Sequence, residues 1–154
     1  MKTLSTLIGA LVISSTAWAA DVEVNAPYAR AVPPGQPNSA AFMELSNHGN
    51  DDIALIGARS SAADVVELHT HIHDQGVMRM RRIEQIELPA QETVTLQPGG
   101  LHIMLIGLQQ TLSEGENVDM TLEFSDGSEQ AISLPVKPVV PMNANMKMKM
   151  KSQP

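Results

Sequence analysis

Ten short runs that suit β-strands, each closed by turn-forming residues, leave few folds open to this chain. The runs cover 22–32, 40–46, 52–59, 65–73, 77–81, 83–88, 93–96, 101–108, 117–124 and 130–136. Between them lie Pro33-Pro34-Gly35, Asn47-His48-Gly49-Asn50, Asp74-Gln75-Gly76, Pro98-Gly99-Gly100, Glu114-Gly115-Glu116 and Ser125-Asp126-Gly127, the residue types that turns favour. Alternation is clean in 117–124, where Val118, Met120, Leu122 and Phe124 share one face and Asp119, Thr121 and Glu123 the other. That pattern belongs to an antiparallel strand with one face buried. Apart from a turn near 60–64, no segment carries a helical period. Closely spaced short strands of this kind build an all-β sandwich or barrel.

The sandwich is expected to occupy 20–138. Residues 1–19 read as a secretory signal peptide: Lys2 precedes an apolar run over 4–13, and Ala17-Trp18-Ala19 has the small-residue pattern of a cleavage site. The run is too short to span a bilayer. No later stretch is apolar for long enough, so the mature chain is not expected to insert into a membrane. Residues 139–154 have a different composition. Met146, Met148 and Met150 alternate with Lys147, Lys149 and Lys151 without any strand or turn pattern, which predicts a disordered tail.

Charge and cysteine count narrow the chemistry. The full chain carries −7, and loss of Lys2 with the signal makes it more negative, which argues against a nucleic-acid partner. There are no cysteines. A blue-copper site, a thiolate-bridged copper centre and a redox dithiol are therefore unavailable. Any soft-metal site must use Met and His.

Such residues occur at strand spacing. His69, His71 and His73 fall on one face of a strand, with Leu68, Thr70 and Ile72 on the other. His102 and Met104 share a strand face after the 98–100 turn. Met78 and Met80 follow the 74–76 turn, which would pair His73 with Val77 and fold Met80 back toward His69. Singly, each methionine reads as a core filler. Together, two thioethers and two imidazoles form a soft-to-borderline donor set that favours Cu(I) and tolerates Cu(II). Zinc prefers His, Cys and carboxylate. His48 reads as an exposed turn residue, Glu67 and Glu84 as surface charges, and Arg79, Arg81 and Arg82 as a solvated strand edge.

His69, ten residues, Met80, twenty-one residues, then His102-x-Met104 resembles the H-x10-M-x21-H-x-M pattern of periplasmic copper chaperones of the PCu(A)C family. The similarity extends over 22–136, including Val66-Glu67-Leu68-His69 and Pro98-Gly99-Gly100-Leu101-His102-Ile103-Met104-Leu105. It implies a cupredoxin-like Greek-key β-sandwich and an exposed Cu(I) site at His69, Met80, His102 and Met104. It also implies a periplasmic, non-enzymatic role in supplying copper to an acceptor. That acceptor would be the CuA domain of cytochrome c oxidase or another copper chaperone. The family often has Met where this chain has His71. His71 and His73 are therefore read as auxiliary ligands that would raise tolerance of Cu(II), and Met146, Met148 and Met150 as auxiliary ligands in the tail. Two alternatives stand beside this reading. One is a copper-sequestering resistance protein with the same site. The other is a cupin-like metal enzyme, which the 98–102 segment resembles in part, although the Glu expected after His71 is missing and Met80 and Met104 would have no role.

Overall fold

The computed structural model describes residues 21–138. The signal peptide expected at 1–19 and the tail at 139–154, with Met146, Met148 and Met150, lie outside the described residues. Ten strands follow in chain order: β1 (Val22–Arg30), β2 (Asn38–Asn47), β3 (Ile53–Arg59), β4 (Ala63–Asp74), β5 (Val77–Ile83), β6 (Ile86–Leu88), β7 (Thr93–Leu96), β8 (His102–Leu108), β9 (Asn117–Phe124) and β10 (Glu129–Lys137). Among the described residues there is no helix, and so none that could cross a membrane. The turn near 60–64 is a tight connection that places Ala62 and Ala63 in the interior.

Hydrogen bonding runs in one path, β5-β4-β8-β2-β1-β10-β9-β3-β6, with β7 added to β2. Strand β2 is shared: residues 38–41 pair with β8 and residues 43–46 with β7. The path is thin at one point. Strands β1 and β10 meet in parallel only at Ala29–Val136 and Arg30–Lys137. There the sheet turns over, so that β5-β4-β8-β2-β1 faces β10-β9-β3-β6. The result is the all-β, cupredoxin-like Greek-key sandwich expected from the sequence, with consecutive strands passing between layers at β2–β3, β3–β4, β5–β6, β6–β7 and β8–β9.

Alternation decides what fills the space between the layers. Ala41, Met43, Leu45, Leu68, Ile103 and Leu105 come from the first layer; Leu55, Val118, Met120, Leu122, Phe124 and Leu134 come from the second. All are buried in one cluster. Residues of the opposite parity in the first layer must then point outward. These include Ala40 and Phe42 on β2, Glu67, His69 and His71 on β4, and His102 and Met104 on β8. A bulge sets the same parity on β1. Asn25 pairs with Glu44 and Tyr28 with Phe42, so β1 carries one extra residue at Ala26-Pro27, where Ala26 has φ +46°. Tyr28 thereby lands on the outer face, its ring 5.2 Å from that of Phe42.

The β4–β5 hairpin closes through Gln75 and Gly76, at φ +50° and +79°. Two positive φ values are what a two-residue hairpin turn with the strands' own twist demands. The register is then Asp74 opposite Val77, His73 opposite Met78 and His71 opposite Met80. The expected pairing of His73 with Val77 is off by one residue. Met80 consequently lies across from His71, and Arg82 across from His69. Strand β5 is an edge strand, exposed over Val77–Arg82, and its arginines discourage pairing with another sheet.

Candidate metal centre

His102 is the first residue of β8, directly after the Gln97–Leu101 turn. Backbone bonds from Gln97 N to Leu101 O and from Gly100 N to Gln97 O tighten that turn, and Gly99 sits in it at φ +85°. The turn aims the Gly100 carbonyl at His102 Nδ1, 2.9 Å away. A carbonyl only accepts, so Nδ1 carries the proton and Nε2 keeps a free lone pair. Nε2 lies 3.3 Å from the sulfur of Met80. Two donors bound to one d¹⁰ ion at about 2.0 and 2.3 Å, with a tetrahedral angle between them, would stand about 3.5 Å apart. The pair is therefore close to the spacing a shared ion requires.

Met104 follows on the same face, opposite Ala40 of β2 and Glu67 of β4. Met80, His102 and Met104 line one cleft together with Arg30, Phe42 and His71. His69 is held differently. It pairs with His102 across β4 and β8, with ring centroids 5.8 Å apart. Its Nε2 bonds Glu67 Oε2 at 2.8 Å, while Nδ1 is buried with no partner in the protein. A buried, unpaired ring nitrogen is costly unless something binds it. With Nε2–H donated to Glu67, Nδ1 is the free donor.

His71, read from sequence as auxiliary, is as close to the centre as His69. It faces Met80 across the hairpin, its ring is 5.2 Å from His102, and its Nδ1 lies 3.4 Å from the Gly100 carbonyl. His73 stands apart at the exposed hairpin tip. His48 is exposed, 2.8 Å from Glu23, and takes no part.

Glu67 corrects the sequence reading. It was expected on the open surface, yet its side chain is 22% exposed and bridges His69 to Arg82, whose Nε lies 3.7 Å away. Arg82 is thus more than a solvated edge residue. The signal was present in the i, i+2 spacing of Glu67 and His69, which puts both on one strand face. A carboxylate on the far nitrogen of a ligating imidazole fixes its tautomer and orientation, and losing such a partner costs roughly 10–100-fold in metal affinity. Glu67→Ala should weaken metal binding within that range while the unfolding midpoint stays near that of the parent. A competition titration with unchanged affinity would remove Glu67 from this role.

Burial shapes the acid–base behaviour of His102, which is only 2% exposed. Desolvation holds its pKa below the ordinary 6.5. The Gly100 carbonyl opposes this, and His71, His69 and Arg30 reinforce it. The centre therefore keeps a neutral imidazole into mildly acidic solution. Below about pH 6.5 the unfolded chain takes up a proton at this position that the folded chain refuses, so metal-free stability falls as pH drops, until the folded pKa is reached. Urea midpoints between pH 7.5 and 5.5 should decline less in His102→Gln than in the parent. Parallel declines would contradict this.

Among the described residues, no three His, Asp or Glu side chains gather to hold an ion. The donors that converge are thioethers and imidazoles, which suit a soft or borderline ion.

The relatives agree with this fold. Residues 22–136 match the family described as "Putative lipoprotein LpqE-like". A similar protein, "Putative lipoprotein Lxx21020" of Leifsonia xyli subsp. xyli, is 37% identical over 127 residues, 82% of this chain and 75% of its own length. The solved copper-bound PCuAC domain from PmoF2 superposes with a TM-score of 0.66 at 26% identity, covering 79% of this chain and 97% of that domain. The solution structure of CuI-DR1885 from Deinococcus radiodurans gives 0.60 at 37% identity, over 74% of this chain and 78% of that one. With the match spanning nearly all the described strands, this chain belongs to the LpqE-like family and is a β-sandwich of the PCuAC type.

Proposed function

We propose that this protein is an exported, non-enzymatic copper chaperone. It binds one Cu(I) through His69, Met80, His102 and Met104 and passes it, in the periplasm, to a copper-accepting protein. The oxidase CuA domain or another copper chaperone is the kind of acceptor that fits. One observation carries the reading: a deprotonated imidazole nitrogen 3.3 Å from a thioether sulfur, with a second buried imidazole nitrogen left unpaired on the neighbouring strand. The copper-bound relatives support it.

The centre suits a carrier. All four donors are neutral, so a monovalent ion loads onto thioethers and neutral imidazoles without displacing a proton. Met80 is 51% exposed on an edge strand, while His102 is buried. An acceptor can therefore displace the outer thioether first while the inner imidazole still holds the ion. His71 beside the centre supplies a further imidazole, which would help retain copper after oxidation to Cu(II).

The test is an anaerobic Cu(I) titration against a chromogenic chelator, followed by mixing the loaded chain with a copper-free oxidase copper domain. One equivalent should bind tightly and then appear on the domain. Tight binding with no release to this or any other copper acceptor would favour sequestration. Absence of tight Cu(I) binding would refute the carrier reading.

A further inference from the structure

The donor chemistry of the centre continues outward along the β4–β5 hairpin. Two His–Met pairs face each other in register on the same side: His71 opposite Met80, then His73 opposite Met78. We propose that His73 and Met78 form a second, weaker Cu(I) site, through which the ion enters and leaves the centre. This rests on the Cu(I) reading above and adds a route to it.

Directly opposed residues on antiparallel strands have Cβ atoms about 5 Å apart, within reach of one shared ion. Same-face neighbours along a strand are separated by about 7 Å, so the step from Met80 to Met78 is short. His71 lies between, facing both the cleft and the hairpin. The methyl of Met78 lies near Gly99, in the turn whose Gly100 carbonyl holds His102. Met78 and the centre thus meet one piece of backbone.

Exposure and charge agree. Met78 and Met80 are 46% and 51% exposed, on the site side of an edge strand, where neither fills a core. Arg79 and Arg81 have the opposite parity and point away from the donors. Arg82 shares the donor face but is engaged by Glu67. No guanidinium therefore separates the centre from the tip. The transfer exchanges one neutral donor for another at Cu(I): a sulfur–copper or nitrogen–copper bond forms as another breaks, with no electron or proton moved.

Methionine methyl NMR under anaerobic Cu(I) additions tests this. The first equivalent should shift Met80 and Met104, and the second should shift Met78 and the His73 ring. The double substitution His73→Ala, Met78→Leu should lose the Met78 and His73 response and leave first-equivalent affinity unchanged. It should also slow Cu(I) loss to a chelator by about tenfold. Both residues are exposed, so folding is not at stake. If Met80 and Met104 respond but Met78 stays still through two equivalents, or if the double variant releases Cu(I) at the parent rate, the outer site is refuted. A Met78 that moves only on adding an acceptor protein also refutes it, and marks an apolar docking contact instead. If Met80 and Met104 fail to move at all, the carrier reading falls first.

Discussion

Met80→Leu should bind Cu(I) more weakly by over about 100-fold, beyond the loss expected from an outer-sphere partner. Leucine keeps most of the volume and removes the only lone pairs the side chain offers. The effect should be purely one of coordination, because Met80 is half exposed and packs into no core. The urea midpoint should therefore match the parent. His102→Gln should lose more, in both Cu(I) and Cu(II), since its Nε2 is aimed at the Met80 sulfur. Retained Cu(II) binding in that variant would move the oxidised ion to His69 and His71. Parental Cu(I) affinity in Met80→Leu would break the ligand set. Competition against a chelator of known affinity reads all of these.

Phe124→Ala should have the largest effect on the fold. Phe124 is 1% exposed at the end of β9, among the residues joining both layers. Truncating a buried Phe costs about 3–5 kcal/mol, through lost burial and the cavity left behind. That is a large share of the stability of a domain this size. The centre lies on the outer face of the other layer, so Cu(I) should still bind, and copper should restore part of the lost midpoint by binding only the folded state. A loss below about 1 kcal/mol in urea unfolding would mean that the two layers do not share this core.

The strands were legible because their pattern is local. Alternation in 117–124 and turn residues such as Ser125-Asp126-Gly127 mark β9 at its observed limits. The outward direction of His102 and Met104 follows from the apolar run of Leu101, Ile103 and Leu105 between them. What the sequence could not supply depends on register and on long-range packing. The Asp74–Val77 stretch allows either of two turn lengths, and only the two-residue turn puts His71 rather than Thr70 opposite Met80. The role of Glu67 needed the pairing of β4 with β5, which sets Arg82 beside it. The burial of His102 depends on the site-facing parity of Phe42 and on the reach of Met80 from a different strand. Neither can be read from His102 and its neighbours in sequence.

X-ray absorption of the anaerobic Cu(I) form tests the centre most directly. Two sulfur neighbours at about 2.3 Å and two nitrogen neighbours at about 2.0 Å are expected, with one sulfur lost in Met80→Leu and another in Met104→Leu. A first shell of nitrogen and oxygen alone, or one that neither substitution alters, would contradict a centre built from these methionines and histidines.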